Sequence, residues 1–333
     1  MSARTEGFLL TSSPHQFSES STNRIMYVVI LTLLPAVIMS VLYFGAYVLL
    51  LYAVGIGAAL ATEVVTRLIR KKNWRTINDG SAVITGLLLV MSLPPRISPL
   101  LVALGSIVAI FIGKELFGGL GANVFNPALV GRAFLAAAYP VPMTTWLAPN
   151  ALFGFLGRVP DATTSATPLS SAKFEHTFES VGKLFLGQTG GSIGETAALF
   201  IILGGLTLIL LRIVRWRTVV SYLGTVFLFG GLFWLLNPSL YPSPVFQLFA
   251  GGLMLGAFYM ATDMVTSPYT HLGSVIFGMG AGVLVVIIRL FGGFPEGVMY
   301  SILLMNAITP LLNRSINNTV FGRKPNKRGE GRS

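Results

Sequence analysis

The 333-residue sequence has no cysteine, only three histidines, and charged side chains at only 11% of its positions. Without cysteine the chain forms no disulfide and offers no thiolate to an iron–sulfur cluster. The histidines His15, His176 and His271 are far apart in sequence, so no metal site is predicted. Any redox group bound to this chain must therefore be held in another way.

The low charge accompanies an apolar share of 53%, whereas soluble domains carry about a quarter charged residues. The apolar residues fall into blocks near the roughly 20 residues that a helix needs to cross a bilayer. We therefore predict an all-α, polytopic membrane protein. About ten transmembrane helices are expected, at residues 25–44, 46–65, 80–95, 97–113, 126–140, 194–211, 218–236, 245–262, 272–291 and 297–312.

The net charge of +11 is explained by membrane topology better than by nucleic-acid binding. When the connections are assigned to alternate sides, 17 of the 23 basic residues fall on one side and five on the other. The positive-inside rule makes both termini cytoplasmic, and the first apolar block is too long for a cleaved signal. The predicted parts are a cytoplasmic segment (1–24), a first membrane half (25–140), an outward-facing loop (141–193), a second membrane half (194–312) and a basic cytoplasmic tail (313–333).

Two of the predicted crossings are short and broken. One runs from Gly80 to the Pro94-Pro95 pair, and the other begins at Asn126-Pro127 and ends near Pro140. Interrupted helices at matching places in two halves of a membrane protein indicate a buried binding site.

A weak internal echo supports two related halves. Phe117-Gly118-Gly119 with Val124 recurs as Phe291-Gly292-Gly293 with Val298, at the same spacing. The two copies fall on opposite sides of the predicted membrane, as an inverted repeat of five plus five helices requires. Gly-Gly turns between membrane helices also recur by chance, so both interpretations stay open.

The outward loop contains Asp161-Ala162-Thr163-Thr164-Ser165-Ala166-Thr167-Pro168-Leu169. Such small hydroxyl residues favour turns, and on composition alone the segment is a solvated loop. It resembles the flavin-attachment segment of the RnfD and NqrB families, membrane subunits of the Rnf complex and of the sodium-pumping NADH:quinone oxidoreductase. The usual Ser-Gly-Ala-Thr reads Thr164-Ser165-Ala166-Thr167 here, with the preceding acid kept as Asp161. The resemblance implies that FMN is joined to Thr167 through a phosphoester made by a flavin transferase.

Other stretches resemble the same families in the same order, over nearly the whole chain. The short N-terminus favours RnfD over NqrB, which has a longer extension. The stretches are Ser13-Pro14-His15, Asp79-Gly80-Ser81, Thr85-Gly86-Leu87-Leu88-Leu89, Phe117-Gly118-Gly119-Leu120-Gly121, Asn123, Phe125-Asn126-Pro127-Ala128, Gly131-Arg132, Ala261-Thr262-Asp263, Thr266-Ser267-Pro268, Pro295-Glu296-Gly297 and Leu303-Leu304-Met305-Asn306.

The resemblance further implies a second flavin, unmodified riboflavin, near the glycine-rich connections 117–127 and 291–297. Glycines permit close backbone approach to a flat ligand, and helix N-termini offer free N–H groups. Close helix packing through small residues is the alternative explanation. The residues expected to line this second site are Gly118, Gly119, Asn123, Asn126 and Asp263.

Five of the twelve acidic residues lie at the ends or broken parts of apolar blocks: Asp79, Glu115, Glu195, Asp263 and Glu296. Ionisable groups at the membrane are costly and are candidates for function. As a group they predict a path for a cation, while each one alone is equally explained as an interfacial carboxylate at a helix start.

The prediction is thus a flavin-carrying subunit in the bacterial inner membrane that relays electrons within an ion-translocating complex and is not catalytic alone. The resemblance implies RnfA, RnfB, RnfC, RnfE and RnfG as partners in that complex, besides the lipid bilayer, and electron exchange between ferredoxin and NAD coupled to sodium or proton movement. The alternative is a flavin-free permease or channel, which broken helices and an inverted repeat fit equally well.

Overall fold

The computed structural model describes residues 21–71, 78–147, 166–195 and 198–316. The regular elements in these ranges are helices, which confirms the predicted all-α class. Three of them, α4, α7 and α12, continue into a π-helical turn (residues 111–115, 171–175 and 256–260). The helices are α1 Thr22–Phe44, α2 Ala46–Ile69, α3 Ser81–Met91, α4 Pro99–Ile110, α5 Pro127–Ala138, α6 Pro140–Thr144, α7 Pro168–Ser170, α8 Val181–Leu186, α9 Ala198–Leu210, α10 Trp216–Leu236, α11 Pro244–Phe249, α12 Leu253–Leu255, α13 His271–Phe291 and α14 Val298–Ser315.

Four helices, α1, α2, α10 and α13, are long and apolar enough to cross a membrane, with mean hydropathy of 2.0 or more. Shorter apolar helices, α3, α5 and α9, stand between them. Their exposed faces carry large apolar side chains such as Leu31, Leu228 and Leu235, which suits contact with lipid. These helices indicate a multi-pass membrane protein, but their lengths do not by themselves establish ten crossings.

The short helix α3 ends inside the protein, ahead of the Pro94-Pro95 pair, as its sequence suggests. The segment after α8 covers this end. The Gly194 N–H donates to the Met91 carbonyl over 2.6 Å, and the Ile193 N–H donates to the Leu93 carbonyl over 3.0 Å. These bonds satisfy carbonyls that a terminated helix would leave without partners in an apolar medium, and they bring Glu195 to the protein interior.

The block at residues 245–262 is also broken, which its sequence does not indicate. Helix α11 ends at Phe249 and α12 begins at Leu253. Between them Gly251 has φ +69, a left-handed conformation that suits glycine. The freed backbone has a partner, because the Arg289 guanidinium donates to the carbonyls of Gln247 at 2.5 Å and Ala250 at 2.8 Å.

Helix α5 begins at the Asn126-Pro127 pair, as predicted. The Asn126 side-chain oxygen accepts the N–H groups of Ala128 and Leu129, a standard N-cap, and Pro127 occupies the first helical position. The Asn126 amide nitrogen also donates to the Met260 carbonyl, 3.2 Å away. One side chain therefore fixes the start of α5 and joins it to the turn after α12.

The two halves use the same order of packing partners. In the first half α2 packs on α3 and α4, and α4 packs on α5; in the second, α10 packs on α11 and α13, and α13 packs on α14. Between the halves α1 packs on α9, and α5 contacts α14. Close approach depends on small residues. A Cβ at Gly86 would lie 2.9 Å from the Cα of Ile56, so only glycine fits where α3 meets α2.

Candidate functional sites at two cavities

Thr167 is buried and forms the N-cap of the short helix α7. Its Oγ1 accepts the Ser170 N–H at 3.1 Å and lies 2.9 Å from the Ser170 hydroxyl oxygen. Pro168 follows at the first helical position, which holds the backbone for this cap. The hydroxyl therefore has a fixed place, although the residue lies in a connection between helices.

The π-helical turn after α7 anchors this segment to the end of α13. The Lys173 ammonium donates to the carbonyls of Ile288 (3.4 Å), Gly292 and Phe294 (3.2 Å). A cation at the carboxyl end of a helix is favourable because free carbonyls and the helix dipole are negative there. Partial burial lowers the pKa of the Lys173 ammonium from its usual value. Thr167 is thus tied to the second half of the fold.

Thr167 lines a cavity with about 1380 Å³ of empty space, including its open mouth, here called the Thr167 cavity. The hydroxyl end of the cavity is polar, and much of the remaining wall is aromatic. The Phe294 and Tyr300 rings are stacked with centroids 5.6 Å apart and planes at 29°. The other described aromatic residues in the wall are Trp146 and Phe174. Flat apolar walls with a few polar groups are typical of cofactor sites.

The same cavity contains an ion pair between Arg132 on α5 and Glu296 in the connection before α14. Arg132 Nη2 lies 2.5 Å from Glu296 Oε2, and Glu296 Oε1 accepts the Gly252 N–H at 3.2 Å. Glu195 lies close enough to interact with both charges, and its carboxylate accepts the Ser192 hydroxyl at 2.8 Å. We call Arg132, Glu195 and Glu296 the second charge cluster.

A different cavity, the asparagine cavity, lies between the two halves and has about 780 Å³ of empty space, including its mouth. Asn123, Asn126 and Asp263 line it, together with Lys114 and Ser81. The Asn123 Oδ1 is buried and has no hydrogen-bond partner among the described residues. The cavity therefore offers an acceptor without a partner next to the amino ends of α3 and α5.

Lys114 belongs to a buried network at the wall of the asparagine cavity. Its ammonium lies 2.6 Å from the Ser81 hydroxyl and 2.9 Å from the Glu63 carboxylate. Glu63 also pairs with Arg67 one turn later on α2. We call Glu63, Arg67, Asp79, Lys114 and Glu115 the first charge cluster.

Asp79 and Glu115 complete the first charge cluster. Asp79 accepts the Ser81 N–H at 2.9 Å and the Ser81 hydroxyl at 2.6 Å, and it lies 3.7 Å from Arg67. Glu115 lies 3.8 Å from Arg70 and 3.9 Å from Arg67. Both carboxylates, predicted as ion-path candidates, therefore have basic partners at the start of α3 and the end of α4.

The structure brings several predicted site residues together and leaves others apart. Ala166 and Thr167 share one cavity wall, and Asn123, Asn126 and Asp263 share the other. Gly118 and Gly119 do not line either cavity; with φ of +128 and +104 they shape the connection that leads to Asn123. The predicted positions Asp161, Thr164 and Ser165 lie outside the described residues.

Several buried charges were not singled out from the sequence. Glu63 lies within an apolar helix, Lys114 and Arg289 lie at helix ends, and Arg132 lies inside a predicted crossing. The available signal was the spacing of Glu63 and Arg67, an acid and a base four residues apart in an otherwise apolar run. No group of three or more His, Cys, Asp or Glu residues in the described ranges is arranged to hold a metal ion.

Fold and cavities together define a multi-pass helical membrane protein with two internal polar sites, each with its own buried charge cluster. The sequence model of the NQR2, RnfD, RnfE family matches residues 9–322. The chain belongs to this family.

Named relatives cover nearly the whole chain, and each is named as the RnfD-type component of its complex. The chain is 46% identical over 329 residues to that component of the proton-translocating ferredoxin:NAD(+) oxidoreductase complex of Clostridium ljungdahlii, over 95% of this chain and 96% of the relative. It is 42% identical to the counterpart in the Na(+)-translocating ferredoxin:NAD(+) oxidoreductase complex of Acetobacterium woodii, over 94% and 95%. It is 39% identical to the counterpart in the ion-translocating oxidoreductase complex of Stutzerimonas stutzeri, over 93% and 94%.

Proposed function

We propose that this chain is the RnfD component of an Rnf-type ion-translocating ferredoxin:NAD oxidoreductase complex, and that it relays electrons through a flavin held at Thr167. The family match over most of the chain supports the place in the complex. The observation that carries the flavin is the position of the Thr167 hydroxyl in the wall of a large cavity with aromatic sides. The chain is not proposed to be an enzyme by itself.

FMN suits the residues of the Thr167 cavity. A phosphoester uses the threonine hydroxyl and needs no cysteine, which the chain lacks. The stacked Phe294 and Tyr300 rings provide an apolar platform for an isoalloxazine ring, and Arg132 supplies N–H donors and a positive charge in the same wall. The bound FMN would supply one-electron and two-electron transfer.

Riboflavin suits the asparagine cavity. The buried Asn123 Oδ1 without a partner is an acceptor for a donor on a ligand, because unpaired buried polar atoms cost about 1–3 kcal/mol. The amino ends of α3 and α5 present backbone N–H groups for carbonyl oxygens of a ring. Asn126 is fully engaged in capping α5, so its part is to shape the wall.

The proposed topology has ten crossings in two inverted five-helix halves, embedded in the bacterial inner membrane with both termini cytoplasmic. The matched order of helix packing in the halves supports the repeat, and the 17-to-5 distribution of basic residues supports the orientation. Partners would be the other Rnf proteins, RnfA, RnfB, RnfC, RnfE and RnfG, and a flavin transferase that reaches Thr167 from outside.

The proposed ion path uses the carboxylates of both charge clusters, with Asp79, Glu115 and Asp263 on the cytoplasmic side and Glu195 and Glu296 on the other. Both clusters lie at internal cavities, where a charge is costly unless it has a use or a partner. The choice between sodium and proton differs between the names of two relatives, proton in one and sodium in the other.

A flavin-free permease is the rival function, and the flavin decides between them. We expect the full-length chain, co-expressed with its flavin transferase, to be yellow and to show in-gel fluorescence after denaturation. Intact mass should exceed that of the polypeptide by one bound FMN. Thr167→Val should abolish this label; a label that persists, or that maps to Thr163 or Thr164, would contradict the attachment at Thr167. A colourless protein would favour the permease.

A further inference from the structure

Arg132 is the one basic residue among the described residues that line the Thr167 cavity. Two carboxylates, Glu175 and Glu296, line the same wall. Without the arginine, the charged groups of this wall would repel any ligand that gains negative charge. The sign of the field inside the cavity therefore depends on how the Arg132 charge is balanced by its neighbours.

The guanidinium of Arg132 keeps unused capacity. It has five N–H donors, and its one hydrogen-bond partner within the described part of the chain is Glu296. The Arg132 side chain is 9% exposed and faces the cavity wall, and the Glu296 side chain is 17% exposed. Charges so far removed from water act more strongly on their surroundings than surface charges do.

Glu296 fixes the place of this charge. One carboxylate oxygen accepts from Arg132, and the other accepts the Gly252 N–H at 3.2 Å. Arg132 and Glu296 are 164 residues apart in sequence, so the pair joins α5 of the first half to the connection before α14 in the second. The carboxylate thus both positions the guanidinium and offsets part of its positive charge.

We propose that Arg132 tunes the reduction potential of the flavin held at Thr167 and that Glu296 is its positioning residue, an inference that rests on the proposed attachment. A positive charge in the wall stabilises the more negative, reduced form of a bound group. Loss of the Arg132 charge lowers the reduction potential. Loss of the Glu296 charge leaves the arginine less compensated and raises it. The opposite signs separate an electrostatic role from a merely structural one.

The test measures the reduction potential of the covalent flavin by dithionite titration followed by absorbance, in the full-length chain purified in detergent. Subtracting the same titration of Thr167→Val removes any second flavin. We expect Arg132→Gln to lower the equilibrium constant for reduction at least tenfold, about 59 mV for one electron, and Glu296→Gln to raise it by a similar factor. Arg132→Lys should keep most of the original value.

Lys183→Gln is the matched control, because it removes a basic residue of the connection after Thr167 whose side chain is 60% exposed, and its potential should be unchanged. Shifts of the same sign in Arg132→Gln and Glu296→Gln, or no shift in either with flavin still bound, would overturn the inference. If Arg132→Gln does not fold, Arg132→Lys and Glu296→Gln decide: a raised potential in Glu296→Gln alone supports it, and equal values refute it. Absence of covalent flavin in the unsubstituted chain would instead overturn the proposed function, and this inference with it.

Discussion

The Lys114 ammonium lies 2.9 Å from the Glu63 carboxylate, and both side chains are almost completely removed from solvent. Such a pair contributes little net stability, because desolvation of the two charges offsets their attraction. It does make each partner dependent on the other. Since Lys114 also lines the asparagine cavity, the pair links the integrity of α2 and α4 to that site.

Removal of Lys114 alone should therefore destabilise the fold strongly. We expect Lys114→Met to cost about 3–5 kcal/mol, because it leaves a buried carboxylate without its ammonium. The double variant Glu63→Leu/Lys114→Met should recover most of this loss. Thermal unfolding of the purified chain in detergent is the measurement.

Lys183→Met serves as the control for that experiment, since its exposed pair with Glu179 at 3.8 Å is worth about 1 kcal/mol or less. A Lys114→Met protein that melts with the unsubstituted chain would show that the pair does not hold Glu63 in its charged form.

The two asparagines of the second cavity should respond differently to alanine. Asn126→Ala removes the cap of α5 and the bond to Met260, so it should lower stability by roughly 0.5–2 kcal/mol or somewhat more. Asn123→Ala removes an acceptor without a partner, so it should leave the melting temperature nearly unchanged but release the proposed riboflavin. Flavin extracted without denaturing the covalent label, measured beside thermal unfolding, separates these effects. Equal loss of riboflavin and stability in both variants would argue against a ligand role for Asn123.

Much of the fold followed from the sequence, because an apolar run such as 272–291 is nearly the helix α13, His271–Phe291. The break at Gly251 was missed, since Gly-Gly pairs also occur inside packed membrane helices and only the bonds from Arg289 reveal the interruption. The site residues were harder to predict. Lys114 reads as an interfacial lysine until its partner Glu63, on another helix, is known. The same holds for Arg132 and Glu296, whose pairing depends on how the two halves meet.

The proposed orientation predicts opposite results for two reporter fusions. A reporter active only outside the cytoplasm should be silent when fused after residue 333 and active when inserted in the loop 141–193, because basic residues concentrate on the side of the termini. A cytoplasm-specific reporter at the same two positions is the control and should give the reverse pattern. Activity of the outward reporter at the C-terminus would invert the topology.

Ion coupling is tested most directly at Asp79 and Asp263. Asn in place of Asp79 keeps an oxygen that can accept from the Ser81 N–H, and Asn in place of Asp263 can likewise accept from the Val265 N–H. Each substitution removes the charge while preserving the local turn. If these carboxylates bind or pass the coupling cation, Asp79→Asn or Asp263→Asn in the assembled complex should slow ion-dependent turnover by roughly a hundredfold, about 2.7 kcal/mol of barrier. Flavin content and the composition of the complex should stay the same, and Glu179→Gln, a change at an exposed carboxylate, should have no effect. Coupled turnover at the original rate in both variants would return the two residues to a structural role at the starts of their turns.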